Sequence, residues 1–140
     1  MNLIDFQDSI FVSGHLGMVG SSICRALKVN GYKNILKADR KNLDLRDEYA
    51  VKEWFKENKP SVVIIAAAKV GGIFANENYP ADFILDNLKI QNNLIEQSWK
   101  NKVKRLLFLG SSCIYPKFSE QPIKEEYLMD GQLEETNKWY

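Results

Sequence analysis

Long apolar runs are missing from this chain. The longest, residues 62–68 (VVIIAAA), is far shorter than the roughly 20 residues a membrane-crossing helix needs. The first residues, MNLIDFQD, are acidic where a signal peptide would be basic, and no apolar segment follows them. No membrane partner and a cytoplasmic location are therefore expected. Cysteine is scarce: Cys24 and Cys113 lie far apart, and His15 is the one histidine. No zinc-type spacing can be drawn from these three residues, so no metal site is expected, and a disulfide is not expected in a reducing compartment. Charge of one sign is missing too, with a net charge of +1, which leaves no basic footprint for nucleic acid. There is no internal repeat, no low-complexity segment and no GK[ST] of an ATP-type phosphate loop.

What remains is an ordinary soluble composition, 45% hydrophobic and 26% charged over 140 residues. That length favours one domain, burying roughly 70% of its unfolded surface. Strand and helix patterns alternate. Residues 9–14 (SIFVSG) read as a buried strand ending in glycine. Val19, Ile23, Ala26 and Leu27 then recur at helical spacing, and Gly31 stops that helix. Residues 34–40 (NILKADR) read as a second strand. Asp44 is read as the N-cap of a helix burying Ala50, Val51, Trp54 and Phe55. Residues 61–68 (SVVIIAAA) read as a strand covered on both faces. Pro80 suits the first position of a long helix whose buried face is Phe83, Asn87, Ile90, Leu94 and Trp99. Residues 103–112 (VKRLLFLGSS) read as a fourth strand, and the remainder as loop with a short helix. The implied fold is α/β, a Rossmann-like doubly wound parallel sheet with strand order 3-2-1-4.

Two stretches carry chemistry. SGHLGMVG places Gly14, Gly17 and Gly20 at the first strand–helix junction. There they serve a tight turn, close approach of a pyrophosphate, and close helix–strand packing, in that order. The phosphates meet the positive end of the helix. At the end of the second strand, Asp39 could grip the ribose hydroxyls of NAD, whereas Arg40 could pair with the 2′-phosphate of NADP. The two residues point in opposite directions. Asp44 and Leu45 are placed to line the adenine pocket. The second stretch, LGSSCIYP, puts Ser111, Ser112 and Cys113 at a strand's carboxyl end, where ligands of open α/β sheets bind. A serine hydroxyl there can hydrogen-bond a substrate carbonyl. Cys113 is either a general acid or base or a small buried hydrophobe. Cys24, beside Ile23 and Leu27, is read as the latter.

GHLGMVG, AAAKVGGIFANENYPADF and FLGSSCIYPK together resemble the GDP-L-fucose synthase family of the extended short-chain dehydrogenase/reductase superfamily. The similarity runs in register from Ile10 to Tyr140. It implies an NADPH-dependent oxidoreductase and isomerase that epimerises GDP-4-dehydro-6-deoxy-D-mannose and reduces it to GDP-L-fucose. Carried over by position, Gly14, His15, Leu16, Gly17, Met18, Val19 and Gly20 would hold the pyrophosphate. Arg40, Lys41, Asn42, Leu43, Asp44 and Leu45 would hold the adenosine end, and Leu109, Gly110, Ser111 and Ser112 the nicotinamide side. Ser111 would bond the substrate's 4-oxygen, and Cys113 would move a proton beside the carbonyl. Tyr140 would be the tyrosine of a YxxxK motif and protonate the developing alkoxide.

The resemblance also implies a homodimer in the full-length family. It further implies that residues 1–140 are an NAD(P)-binding domain incomplete at its C-terminus. The motif lysine, a catalytic histidine, the last strands and the sugar domain would lie beyond residue 140, leaving this chain inactive alone and its fourth strand an exposed edge. Leu16 stands where the family usually has arginine and, with Asp39, keeps NAD(H) open beside NADP(H). Other open readings are a dinucleotide-binding module without chemistry, a truncated remnant, and another NAD-dependent sugar-nucleotide epimerase or dehydratase.

Overall fold

The computed structural model describes residues 3–136 and Lys138. Four parallel strands form one sheet: β1 (Ile10–Ser13), β2 (Ile35–Leu36), β3 (Val62–Ile65) and β4 (Arg105–Phe108). Helices α1 (Met18–Val29), α2 (Glu48–Asn58), α3 (Ile73–Asn78) and α4 (Pro80–Lys100) intervene. By contact, the chain forms two compact units. The first takes in the described residues up to Ala68 together with Leu88–Leu109, and the second Lys69–Asn87 with the described residues from Gly110 onward.

In the first unit, β1 and β3 are buried along their whole length, as continuous apolar strands in a sheet covered on both faces should be. Alternate residues serve opposite faces. Ile10, Val12, Val62 and Ile64 pack with Cys24, and with Ile23 and Leu27 of α1. Phe11, Val63 and Ile65 pack with Val51 and Phe55 of α2 and Leu94 of α4. The rings of Phe11 and Trp54 lie 4.2 Å apart, and Phe11 and Phe55 meet edge-on. Cys24 is a small buried hydrophobe, as its neighbours in the sequence implied.

The doubly wound parallel sheet stands, but its strand order is 2-1-3-4, not 3-2-1-4. The reason is the face that α2 covers. A right-handed crossover from β2 with its helix on the face of α1 would carry β3 outward past β2. The α2 residues Val51 and Phe55 instead cover the opposite face, so the same handedness carries β3 to the far side of β1. The short, half-buried β2 is left as one edge and the exposed β4 as the other.

Three local readings also change. The N-cap of α2 is Asp47, which accepts the Ala50 N–H at 3.0 Å, and not Asp44. In α1 the fully buried residues are Gly20 and Cys24, whereas Val19 and Ala26 are exposed. In α4, Trp99 is 78% exposed, while Leu94, Gln97 and Ser98 are buried. Position 99 is five residues past Leu94, about 140° around the helix at 3.6 residues per turn. Pro80 opens α4 as expected.

In the second unit, Asn87 Oδ1 accepts the Lys69 N–H at 2.7 Å, and Asn87 Nδ2 donates to the Lys69 carbonyl at 3.0 Å. Lys69 Nζ pairs with Asp86 at 3.0 Å and stands over the Phe83 ring. Short 3-10 turns occur at Ser112–Ile114 and Glu125–Tyr127. Helix α3 lies between β3 and α4, with Gly72 as its N-cap.

Candidate functional site

The chain order reverses between β1 and β3, where the crossovers leave in opposite directions. The carboxyl ends of two such strands open a crevice in folds of this kind. Gly14 follows β1 at that point, with φ +76°, and a Cβ on it would stand 2.7 Å from the Ala66 carbonyl oxygen after β3. A Cβ on Gly20 would stand 2.2 Å from the Gly14 carbonyl oxygen. Both positions therefore require glycine for packing alone. Gly17 differs: its φ is −72°, and a Cβ would meet only the Gly14 oxygen, at 3.3 Å.

Gly17 is also the N-cap of α1, with no side-chain hydrogen bond closing that end and no acid in the first turn. The first N–H groups of a helix have no intrahelical acceptor, and the positive end of the macrodipole lies there. Leu16, Met18 and Val19 are exposed around this turn. His15 Nδ1 is buried with no hydrogen-bond partner among the described residues. Ser13, buried beneath, donates from its hydroxyl to the Ile64 carbonyl at 3.2 Å.

Residues 39–46 run on from β2 in the same unit. Asp39 Oδ1 accepts the N–H groups of Lys41 and Asn42 at 3.1 and 3.0 Å. Leu43 is buried in the core with Phe11 and Phe55. Asp44 is gripped by Arg46, with Nε to Oδ1 at 3.0 Å and Nη2 to Oδ2 at 2.7 Å. That guanidinium, with the Arg46 N–H and the nearby Arg40 charge, holds the Asp44 carboxyl down at about 2. Arg40 is 74% exposed, its Nε 4.0 Å from Asp44. Leu45 is half-buried against the core, and its carbonyl accepts from Asn93 Nδ2 at 2.9 Å. Arg46 was missed as a partner in this loop; the D-x-R spacing was its signal.

Leu109 closes the first unit, its N–H bonded to the Ile65 carbonyl at 3.1 Å. Gly110 and the half-buried Ser111 and Cys113 follow in the second unit. Ser111 Oγ accepts the Cys113 N–H at 3.2 Å, leaving its hydroxyl hydrogen free to donate elsewhere, and Cys113 is a free thiol. Ser112 is exposed. Tyr140, the expected catalytic tyrosine, lies outside the described residues. Among the described residues no three His, Cys, Asp or Glu side chains cluster as metal ligands, and no helix is long and apolar enough to cross a membrane.

A parallel doubly wound sheet with a glycine turn at its switch point and an uncapped helix start beside it defines a Rossmann-like α/β protein. The chain belongs to the NAD dependent epimerase/dehydratase family, whose sequence pattern matches residues 10–140. It is 53% identical over 140 residues to a GDP-L-fucose synthase of Sinorhizobium fredii, covering 100% of this chain and 44% of that one. It is 52% identical over 139 residues to GDP-L-fucose synthase 1 of Arabidopsis thaliana, covering 99% of this chain and 43% of that one. Among solved structures, a GDP-L-fucose synthetase from Naegleria fowleri bound to NADP matches with TM-score 0.85 and 31% identity. That match covers 98% of this chain and 41% of that one. The chain thus spans less than half the length of these relatives.

Proposed function

We propose that this chain forms the NADP(H)-binding part of a GDP-L-fucose synthase. The observation that carries the reading is the glycine turn at the switch point: two of its positions admit no side chain, and the helix start beside it carries no cap. Identity of 52% and 53% to relatives named GDP-L-fucose synthase, over nearly all of this chain, supports the choice within the family. The residues fit the cofactor. The turn of Gly14, His15, Leu16 and Gly17, with the N–H groups of Met18, Val19 and Gly20, would hold the pyrophosphate. Arg40 and Lys41, with Asn42, Leu43, Asp44 and Leu45, would hold the adenosine end, Arg40 facing a 2′-phosphate. Leu109, Gly110, Ser111 and Ser112 would border the nicotinamide.

NADPH, when bound, supplies the hydride that reduces the 4-ketone of the GDP-sugar. This chain's own residues would supply part of the remaining chemistry. The Ser111 hydroxyl donates to the 4-oxygen, the Cys113 thiol exchanges a proton at the carbon next to the carbonyl, and the Tyr140 phenol protonates the forming alkoxide. The reading carries with it a cytoplasmic location and the homodimer expected of the full-length family.

The direct test is fluorescence titration of the protein with NADPH and NADH, followed by turnover of GDP-4-dehydro-6-deoxy-D-mannose. The expected result is saturable binding with NADPH preferred over NADH, and negligible turnover by residues 1–140 alone. Absence of binding to either dinucleotide would sink the reading.

A further inference from the structure

We infer that Asp39 is a positioning residue that shapes the cofactor loop and turns Arg40 toward a 2′-phosphate, rather than a ligand for ribose hydroxyls. This rests on the NADP(H) reading above. By sequence alone, an acid just after the second strand signals NAD, because a carboxylate there accepts hydrogen bonds from the ribose and repels a phosphate on it.

The geometry gives Asp39 other work. Its Oδ1 already accepts two backbone N–H groups, from Lys41 at 3.1 Å and Asn42 at 3.0 Å. Its own carbonyl accepts the N–H groups of Asn42 at 3.1 Å and Leu43 at 2.9 Å. One residue therefore ties down the next three N–H groups that follow Arg40. Leu43, only 3% exposed, anchors the far end of the turn in the core. Between these fixed points the Arg40 side chain stands 74% in solvent.

The other carboxylate of the loop is engaged as well. Asp44 accepts three hydrogen bonds from Arg46, from its N–H, Nε and Nη2. Arg40 stays 4.0 Å away, beyond hydrogen-bond reach. Both acids hold the loop's shape, and Arg40, in a 4.0 Å ion pair with Asp44 but not hydrogen-bonded to it, keeps its N–H groups for an incoming dianion. A guanidinium suits that task because its planar fork matches phosphate oxygens.

D39N and D39A separate the two roles. Asparagine retains an Oδ1 that accepts the same two N–H bonds, and alanine removes it. With Asp39 as the positioning residue, D39A weakens NADPH binding about tenfold, the loss of two ordinary hydrogen bonds, while D39N stays within about twofold of wild type. Amide hydrogen exchange at Lys41 and Asn42, measured without cofactor, quickens in D39A and not in D39N. Tighter NADPH binding with weaker NADH binding in both variants makes Asp39 a ribose ligand and overturns the inference. If the wild-type protein binds neither dinucleotide, the cofactor reading has failed. The exchange data then decide the turn alone: unchanged exchange in D39A removes the positioning role, and faster exchange in D39A only upholds it.

Discussion

The Gly14 carbonyl oxygen occupies the place that a side chain on Gly20 would need, since a Cβ there would stand 2.2 Å from it. Gly14 is itself locked, with φ +76° and Ala66 backbone at 2.7 Å from its own would-be Cβ. The strand–turn–helix crossing is thus packed backbone to backbone, and the three glycines are not equivalent. G14A and G20A should each destabilise the protein by about 1–3 kcal/mol or prevent folding. G17A should cost less than about 1 kcal/mol, yet weaken NADPH binding if the proposed pyrophosphate site lies at this turn. Urea midpoints and NADPH titration of the three variants check this. Equal stability losses at all three positions would contradict it.

The Asp44–Arg46 pair makes a pH prediction. The folded carboxyl of Asp44 titrates at about 2, below its ordinary 3.8. A lowered folded value gives stability that is complete above the unfolded value and lost as pH falls through the folded one. The window is therefore pH 3.8 down to about 2. The side chains are 37% and 32% exposed, so the contribution after solvent screening is about 1 kcal/mol or less. D44N should remove that component of the acid dependence while leaving stability above pH 5 lower by a similar amount. Denaturant melts of both proteins across this range measure it, and identical acid profiles would refute it.

Asn87 and Lys69 exchange two hydrogen bonds, at 2.7 and 3.0 Å, across the segment between β3 and α4. N87A leaves a part-buried N–H and carbonyl without these partners and should cost about 1–2 kcal/mol. N87D keeps the acceptor but loses the donor, and should not restore wild-type stability. Thermal melts of the two variants test this, and an N87A melting temperature equal to wild type would rule out a structural role.

The side of α4 that packs is testable at two residues. W99A, at a position 78% exposed, should change stability by no more than about 0.5 kcal/mol. L94A, fully buried against Phe11, Val63 and Phe55, should cost about 2–5 kcal/mol. Comparable losses for the two variants would restore Trp99 to the core face.

Much of the site was legible locally. Gly14, Gly17 and Gly20 fall at a strand–helix junction, which marks the tight turn from the sequence. Pro80 marked the start of α4, and the run at residues 62–65 announced a buried strand. Asp39 was legible as an acid at a strand end, but not as a turn cap, because the same carboxylate can accept from a ribose or from its own backbone. Asp44 reads as the cap by sequence, but the cap is Asp47. Only the Arg46 side chain folding back on Asp44 leaves the cap to Asp47.

By itself, the sequence determined the alternation of strands and helices, the glycine turn and the buried nature of Cys24, because each depends on neighbours within a turn or a strand. The tertiary structure decided the strand order, the face of α4 and the task of Asp39. These depend on which sheet face α2 covers, on the depth at which α4 docks, and on how the loop closes over Leu43. Each of those is a packing choice among residues distant in sequence, which no local pattern encodes.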